Sequence, residues 1–159
     1  MEKVRKRKWK KWAKILITIY ILGGIAIYTL QDIAMLRPVK VKRNEKYNFT
    51  QPYREINIPL NNESTLNVIQ FTTKDSLPRG VVLYLHGNKR NIARYAEYSP
   101  YFTKHGYEVW MIDYPGFGKS TGDFTEQNLY ECAGQLYKMA HSRFSLTALL
   151  FMENHWAQA

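Results

Sequence analysis

The sequence predicts an α/β fold with parallel strands, on three observations. Residues 81–85, Val-Val-Leu-Tyr-Leu, form an apolar run that stops at His86-Gly87-Asn88. Residues 92–104 follow with helical spacing, and residues 109–112, Val-Trp-Met-Ile, form a second apolar run ending at Asp113 and a Gly-rich loop. Short apolar runs bounded by turn signals read as buried strands. Strand, helix and strand joined by short links make a βαβ unit, whose two strands lie parallel in one sheet. Ligands of such open sheets bind beyond the carboxyl ends of the strands. His86-Gly87-Asn88 and Asp113-Tyr114-Pro115-Gly116 fall there.

The chain has 159 residues and a net charge of +10, and the charge is concentrated at one end. Residues 1–14 hold eight Lys/Arg and one Glu, or +7; the remainder carries +3. A basic surface over a folded domain would point to nucleic acid. A basic run flush against an apolar stretch points instead to a membrane, so no nucleic-acid partner is expected.

That apolar stretch is residues 15–30, ILITIYILGGIAIYTL, which carry no charge and are extended by Gln31. Its length is close to the lower limit for crossing a bilayer core. Lys14 can snorkel, and Trp9 and Trp12 stand where an interfacial aromatic belt would be. A cleaved signal peptide is the rival reading. No clean small-x-small site follows Leu30, so an uncleaved anchor over 15–31 is expected, with the bilayer as partner. The Lys/Arg excess places Met1 in the cytoplasm and the rest of the chain on the extracytoplasmic side of a single-pass membrane protein.

Residues 37–51, with Pro38, Lys40, Lys42, Arg43 and Asn44, read as a polar linker that lifts the domain off the membrane. Residues 54–59 and 66–71 alternate polar and apolar around an Asn61-Asn62-Glu63-Ser64 turn, the pattern of an antiparallel pair. Thr125 is an N-cap for a helix over residues 126–141, with Leu129, Cys132, Ala133, Leu136, Tyr137 and Ala140 on helical spacing. Cys132 is the only cysteine and reads as a buried structural thiol. After Ser145 the character changes: residues 146–159 show no turn signal, no Gly and no clear strand.

A strand ending in His86-Gly87-Asn88, a helix, and a strand ending in Asp113-Tyr114-Pro115-Gly116-Phe117-Gly118-Lys119-Ser120 together resemble the first half of an α/β-hydrolase. The resemblance is closest to membrane-anchored serine hydrolases of lipase, esterase or peptidase type, and covers residues 53–143. It implies the N-terminal half of an α/β-hydrolase sheet over residues 52–145, preceded by one transmembrane helix. It also implies ester, thioester or amide hydrolysis through an acyl-enzyme, on a small-molecule, lipid or peptide substrate. His86-Gly87-Asn88 would be the oxyanion-type loop, with the Asn88 N–H as donor and His86 shaping the turn rather than acting as base.

Two further patterns are weaker. The loop at 116–122 lacks the first Gly of a phosphate-binding P-loop, because Asp113 stands there, and its third Gly comes too late for a dinucleotide fingerprint. Gly118-Lys119-Ser120-Thr121-Gly122 is a literal Gly-x-Ser-x-Gly, but a nucleophile elbow needs an apolar strand running into its first Gly. Ser120 follows a loop, so it is not read as the nucleophile. Neither His141 nor His155 follows a strand and an acid at a triad-like distance, and His105 reads as a helix-terminal residue before Gly106. Catalytic residues are therefore expected to be absent from this chain. No Cys/His group has metal-ligand spacing, and neither a metal nor a cofactor is expected.

The genetic code gives the tail a second reading. Shifted by one nucleotide, Met152-Glu153 forces a Gly, the next codons allow Lys or Glu and then Ser or Pro, and the following two force Leu and Gly. Permissible codons turn residues 146–159 into Pro-Asp-Ser-Ile-Ile-Ile-Tyr-Gly-Lys-Ser-Leu-Gly-Thr-Gly, a strand followed by a nucleophile elbow. The expectation is an α/β-hydrolase interrupted by a frameshift, with 146–159 as an out-of-frame tail and no activity in this form. The alternative is a short membrane-anchored binding or interaction protein without catalysis.

Overall fold

The computed structural model describes residues 2–61 and 63–153, in two compact units divided after Leu36. The first unit is one helix, α1, Glu2–Met35. It contains a single stretch long and apolar enough to cross a membrane, Lys8–Gln31, with mean hydropathy 1.8. The stretch expected at 15–31 lies inside it, and the basic segment continues the same helix rather than forming a separate element. Trp9 and Trp12 are exposed, as are the apolar side chains from Ile15 to Leu30.

The second unit runs from Arg37. Its elements in order are β1 (Arg37–Pro38), β2 (Tyr53–Pro59), β3 (Thr65–Phe71), β4 (Gly80–Leu85), β5 (Lys89–Arg90), α2 (Ile92–Tyr95), α3 (Ser99–Thr103), β6 (Tyr107–Asp113), α4 (Glu126–His141) and β7 (Leu149–Glu153). A mixed sheet has the order β2-β3-β6-β4-β7. The expected hairpin is β2 against β3, antiparallel, with Tyr53 opposite Phe71 and Pro59 opposite Thr65. The expected βαβ unit is β4 against β6, parallel, with Gly80 opposite Tyr107 and Leu85 opposite Ile112.

Alternate residues of the inner strands feed two hydrophobic layers. Ile69, Phe71, Val82, Tyr84, Val109 and Met111 pack on one face against Ile92, Tyr95 and Ala96. Leu66, Val68, Val81, Leu83, Trp110 and Ile112 pack on the other against Cys132, Leu136 and Ala140 of α4. Helix α4 begins as its sequence predicts: the Thr125 hydroxyl accepts the Asn128 N–H at 3.1 Å. Cys132 is fully buried, and burial pushes its thiol up to about 11.

Three expectations need correction. The helix expected over 92–104 is broken into α2, a 3-10 turn over Ala96–Tyr98, and α3. Pro100 has no N–H to give the Ala96 carbonyl, and the Ser99 hydroxyl donates to that oxygen instead, at 2.7 Å. Residues 37–51 are not a detached linker. Tyr47 is buried, Val41 and Phe49 pack against the first hydrophobic layer, and Phe49 stacks on Tyr47 with centroids 5.0 Å apart. Apolar residues at 41, 47 and 49, spaced among charges, were too sparse to show as a pattern. Finally, Leu149–Glu153 does form a strand, parallel to β4, with Val81 opposite Leu149 and Leu85 opposite Glu153. The free edge of β4 offers a ladder of hydrogen-bonding groups that overrides the weak local signal. Residues 154–159, including His155, lie outside the described residues.

Candidate functional site

The carboxyl ends of β4 and β6 bring the two singled-out loops together. His86 follows β4 and is almost wholly buried. Its ring stacks on Tyr95, with centroids 5.3 Å apart and planes 10° apart, and is walled by Tyr114 and Phe117. Nδ1 lies 2.7 Å from the Gly87 carbonyl oxygen. Nε2 lies 3.4 Å from Asp113 Oδ1 and makes no hydrogen bond. The ring is caged between these aromatic side chains and the turn.

Asp113, at the end of β6, is completely buried. Its Oδ1 accepts the Ile92 N–H at 2.8 Å, which ties the start of α2 to the strand end. Its Oδ2 accepts the Tyr47 hydroxyl at 3.1 Å. Burial, and then the Asp113 charge, hold the Tyr47 hydroxyl well above its ordinary value of 10.0. Gly118 closes on the same carboxylate. Its φ is +49°, and a Cβ there would overlap Asp113, so only Gly lets the loop pass.

The loop after β6 carries the residues of the two weaker motifs. The Ser120 hydroxyl donates to the Asp113 carbonyl and accepts the Asn67 N–H, the latter at 2.8 Å. It is buried and hydrogen-bonded on both sides, which locks the loop to β3. Lys119 Nζ is bound to both Glu55 oxygens, at 2.8 and 2.9 Å, and sits 4.3 Å from the Tyr47 ring centroid. It is directed into the protein and cannot meet a phosphate. Asn67 Nδ2 joins the cluster by donating to Glu55 at 2.8 Å and Asn57 at 3.0 Å. Sequence reading missed Glu55, Asn67 and Tyr47 as members; Glu55 and Asn67 are polar residues on β2 and β3, and Tyr47 lies outside the strands.

Gly87 and Asn88 lead from His86 into β5. The Asn88 carbonyl accepts the Arg37 N–H at 3.0 Å, and β5 pairs in parallel with β1. Asn91 caps α2, accepting the Ala93 N–H at 3.0 Å. His105 follows α3, its N–H donating to the Phe102 carbonyl at 2.9 Å, before Gly106, whose φ is +84°, and His141 stacks on Tyr137. Among the described residues no serine hydroxyl bonds a histidine ring, and no group of three His, Cys, Asp or Glu could hold a metal.

Several solved structures share this fold. They include an α/β-hydrolase from Vibrio vulnificus, 19% identical with a TM-score of 0.53, over 62% of this chain and 34% of that one. A thermostable carboxyl esterase from Bacillus coagulans is 22% identical with a TM-score of 0.53, over 65% of this chain and 36% of that one. The chain has the α/β-hydrolase fold. An esterase from Pyrococcus furiosus is 20% identical with a TM-score of 0.53, over 75% of this chain and 46% of that one. The family described as serine aminopeptidase, S33, matches residues 76–134, which hold both candidate loops. This hydrolase-fold chain thus spans a third to just under half the length of these three structures.

Proposed function

We propose that this chain is the anchored front portion of a serine hydrolase acting on esters, thioesters or amides, and that it has no activity in this form. The observation that carries the reading is the register of β7. It lies parallel to β4 on the side away from β6, with its carboxyl end level with Leu85. A nucleophile elbow there would stand beside the His86-Gly87-Asn88 turn. The Asn88 N–H and the N–H after the serine would then face one oxyanion.

His86 and Asp113 hold the turn and the start of α2, while the nucleophile, acid and base come from elsewhere. Oriented donors without a nucleophile and base supply only part of acyl-transfer catalysis. The Lys8–Gln31 stretch anchors the domain, and the basic residues before it keep Met1 in the cytoplasm. The anchor's partner is the bilayer, and the substrate is a small molecule, lipid or peptide.

The test is to insert one base near the Ser145 codon. The expected product is a longer membrane protein that labels with a fluorophosphonate, while the chain as written does not. A stop codon within a few residues in the new frame, or a longer product that never labels, overturns the reading and favours a membrane-anchored interaction protein.

A further inference from the structure

We infer that the carboxyl edge of the sheet works at the membrane–water interface and takes an amphiphilic substrate whose acyl chain remains in the bilayer. The inference rests on the anchored-hydrolase reading and deepens it. It starts from the segment that was expected to be a linker. Only Leu36 separates the end of α1 from β1. From there the chain runs straight onto the two candidate loops. The Arg37 N–H donates to the Asn88 carbonyl at 3.0 Å, and the Val39 N–H to the Arg90 carbonyl at 3.1 Å. The Val39 carbonyl accepts the Gly118 N–H at 3.0 Å and Asn91 Nδ2 at 2.9 Å, and the Val41 N–H donates to the Gly118 carbonyl at 2.8 Å. Five hydrogen bonds therefore join residues 37–41 to the turn after β4 and to the loop after β6.

Covalent geometry does the rest. From Gln31, the end of the apolar stretch, to Arg37 the chain makes four helical steps and two extended ones. That path reaches at most about 13 Å. The headgroup layer is itself about 6 Å thick on each side of the hydrocarbon. The bonds to Asn88, Arg90 and Gly118 thus hold the strand-end loops to the segment of the domain nearest the anchor, within covalent reach of the headgroups. Exposed Lys40, Lys42 and Arg43 follow at once, cations suited to lipid phosphates. Val39 and Phe124 add exposed apolar surface, and Phe124 lies beside Tyr114 and Phe117 at the site. A carbonyl near the glycerol level of a lipid would be level with the candidate site; a water-soluble peptide would gain nothing from this tether.

The full chain in phosphatidylcholine vesicles tests the placement. In a Cys132→Ser background, a fluorophore is attached at Asp123→Cys, beside the site, or at Ser76→Cys, in the loop leading into β4 at the opposite end of the strands. The six-residue β4 between those two ends is about 20 Å long. A headgroup spin-labelled lipid should quench the Asp123 probe several-fold more than the Ser76 probe. A photoactivatable phospholipid should cross-link the unsubstituted chain within residues 114–124 as well as within the helix. Equal quenching, or adducts confined to residues 15–31, overturns the inference while leaving the anchor intact. Release of the chain by alkaline carbonate overturns the anchor and the inference together.

Discussion

The inner strands and the last strand of the same sheet are covered very differently. At β6, Val109 to Asp113 are all buried, layered on both faces and paired on both edges. At β7, Leu150 is 44% exposed, Phe151 64% and Met152 37%, and among the described residues only one edge is paired. Tyr137 and Phe151 stack at 6.4 Å, but α4 covers the last strand only in part. Backbone pairing alone is enough to form a strand, whereas burial on both faces is what makes one contribute to stability. Substitutions in the two regions should therefore differ in kind. The inner sheet should lose stability steeply. The last strand should change solubility and association with little effect on folding.

The largest loss is expected at Trp110. It is buried against Phe144, and its indole N–H donates to Glu108 at 2.9 Å. Trp110→Ala removes the biggest fully buried side chain and takes one hydrogen bond from the Glu108 carboxylate, which keeps Arg143. Core aromatic deletions cost about 3–5 kcal/mol. Urea unfolding of residues 37–159 should show that loss; a midpoint unchanged from the parent would mean the second layer is not a tight core.

Next is Ser120→Ala. Both partners of the hydroxyl are backbone groups, so the substitution leaves the Asn67 N–H and the Asp113 carbonyl short of one bond each. Buried unsatisfied groups cost about 1–3 kcal/mol each. The loss should appear in stability only. Ester hydrolysis by the chain as written that disappears in Ser120→Ala would show that this serine is a nucleophile after all.

Ser120 also marks how far the sequence could be read. The strands at 81–85 and 109–112, the hairpin and the α4 cap were legible because each is set by short-range pattern: apolar runs, alternation, a Thr before a helical face. The fold class and the two strand-end loops followed. What was not legible depends on distant partners. Residues 37–51 carry too few apolar positions to reveal that Tyr47 reaches Asp113. The helix over 92–104 had the right spacing, but Pro100 removes one backbone donor. Residues 149–153 become a strand only because β4 has a free edge beside them. The Lys119–Glu55 pair joins residues far apart in sequence, and no local rule links them.

A smaller effect is expected at Cys132, and it depends on pH. Burial raises this thiol from 9.0 to about 11 in the folded chain, while the unfolded chain keeps the ordinary value. Between those values the unfolded state loses its proton and the folded state does not. The contribution of Cys132 is thus fully present below about pH 9 and is lost as pH rises toward 11. Tyr47, also raised, adds to the same alkaline loss from about pH 10 upward. Cys132→Ala should lie below the parent in stability at pH 8 and converge toward it by pH 11. Parallel stability curves across that range would mean that the thiol is not sealed within the core.

The smallest effect on folding is expected at Phe151. Its side chain is 64% exposed and stacks on Tyr137, so Phe151→Asp removes little buried area. Surface substitutions of this kind stay within about 0.5 kcal/mol. The same change places a charge on an exposed apolar edge strand, the device that blocks pairing of such edges between chains. Residues 37–159 expressed alone should therefore be poorly soluble in the parent, and Phe151→Asp should raise the soluble, monomeric fraction with the unfolding midpoint held. If Phe151→Asp instead unfolds the domain as Trp110→Ala does, the last strand belongs to the core, and the contrast between the two regions fails.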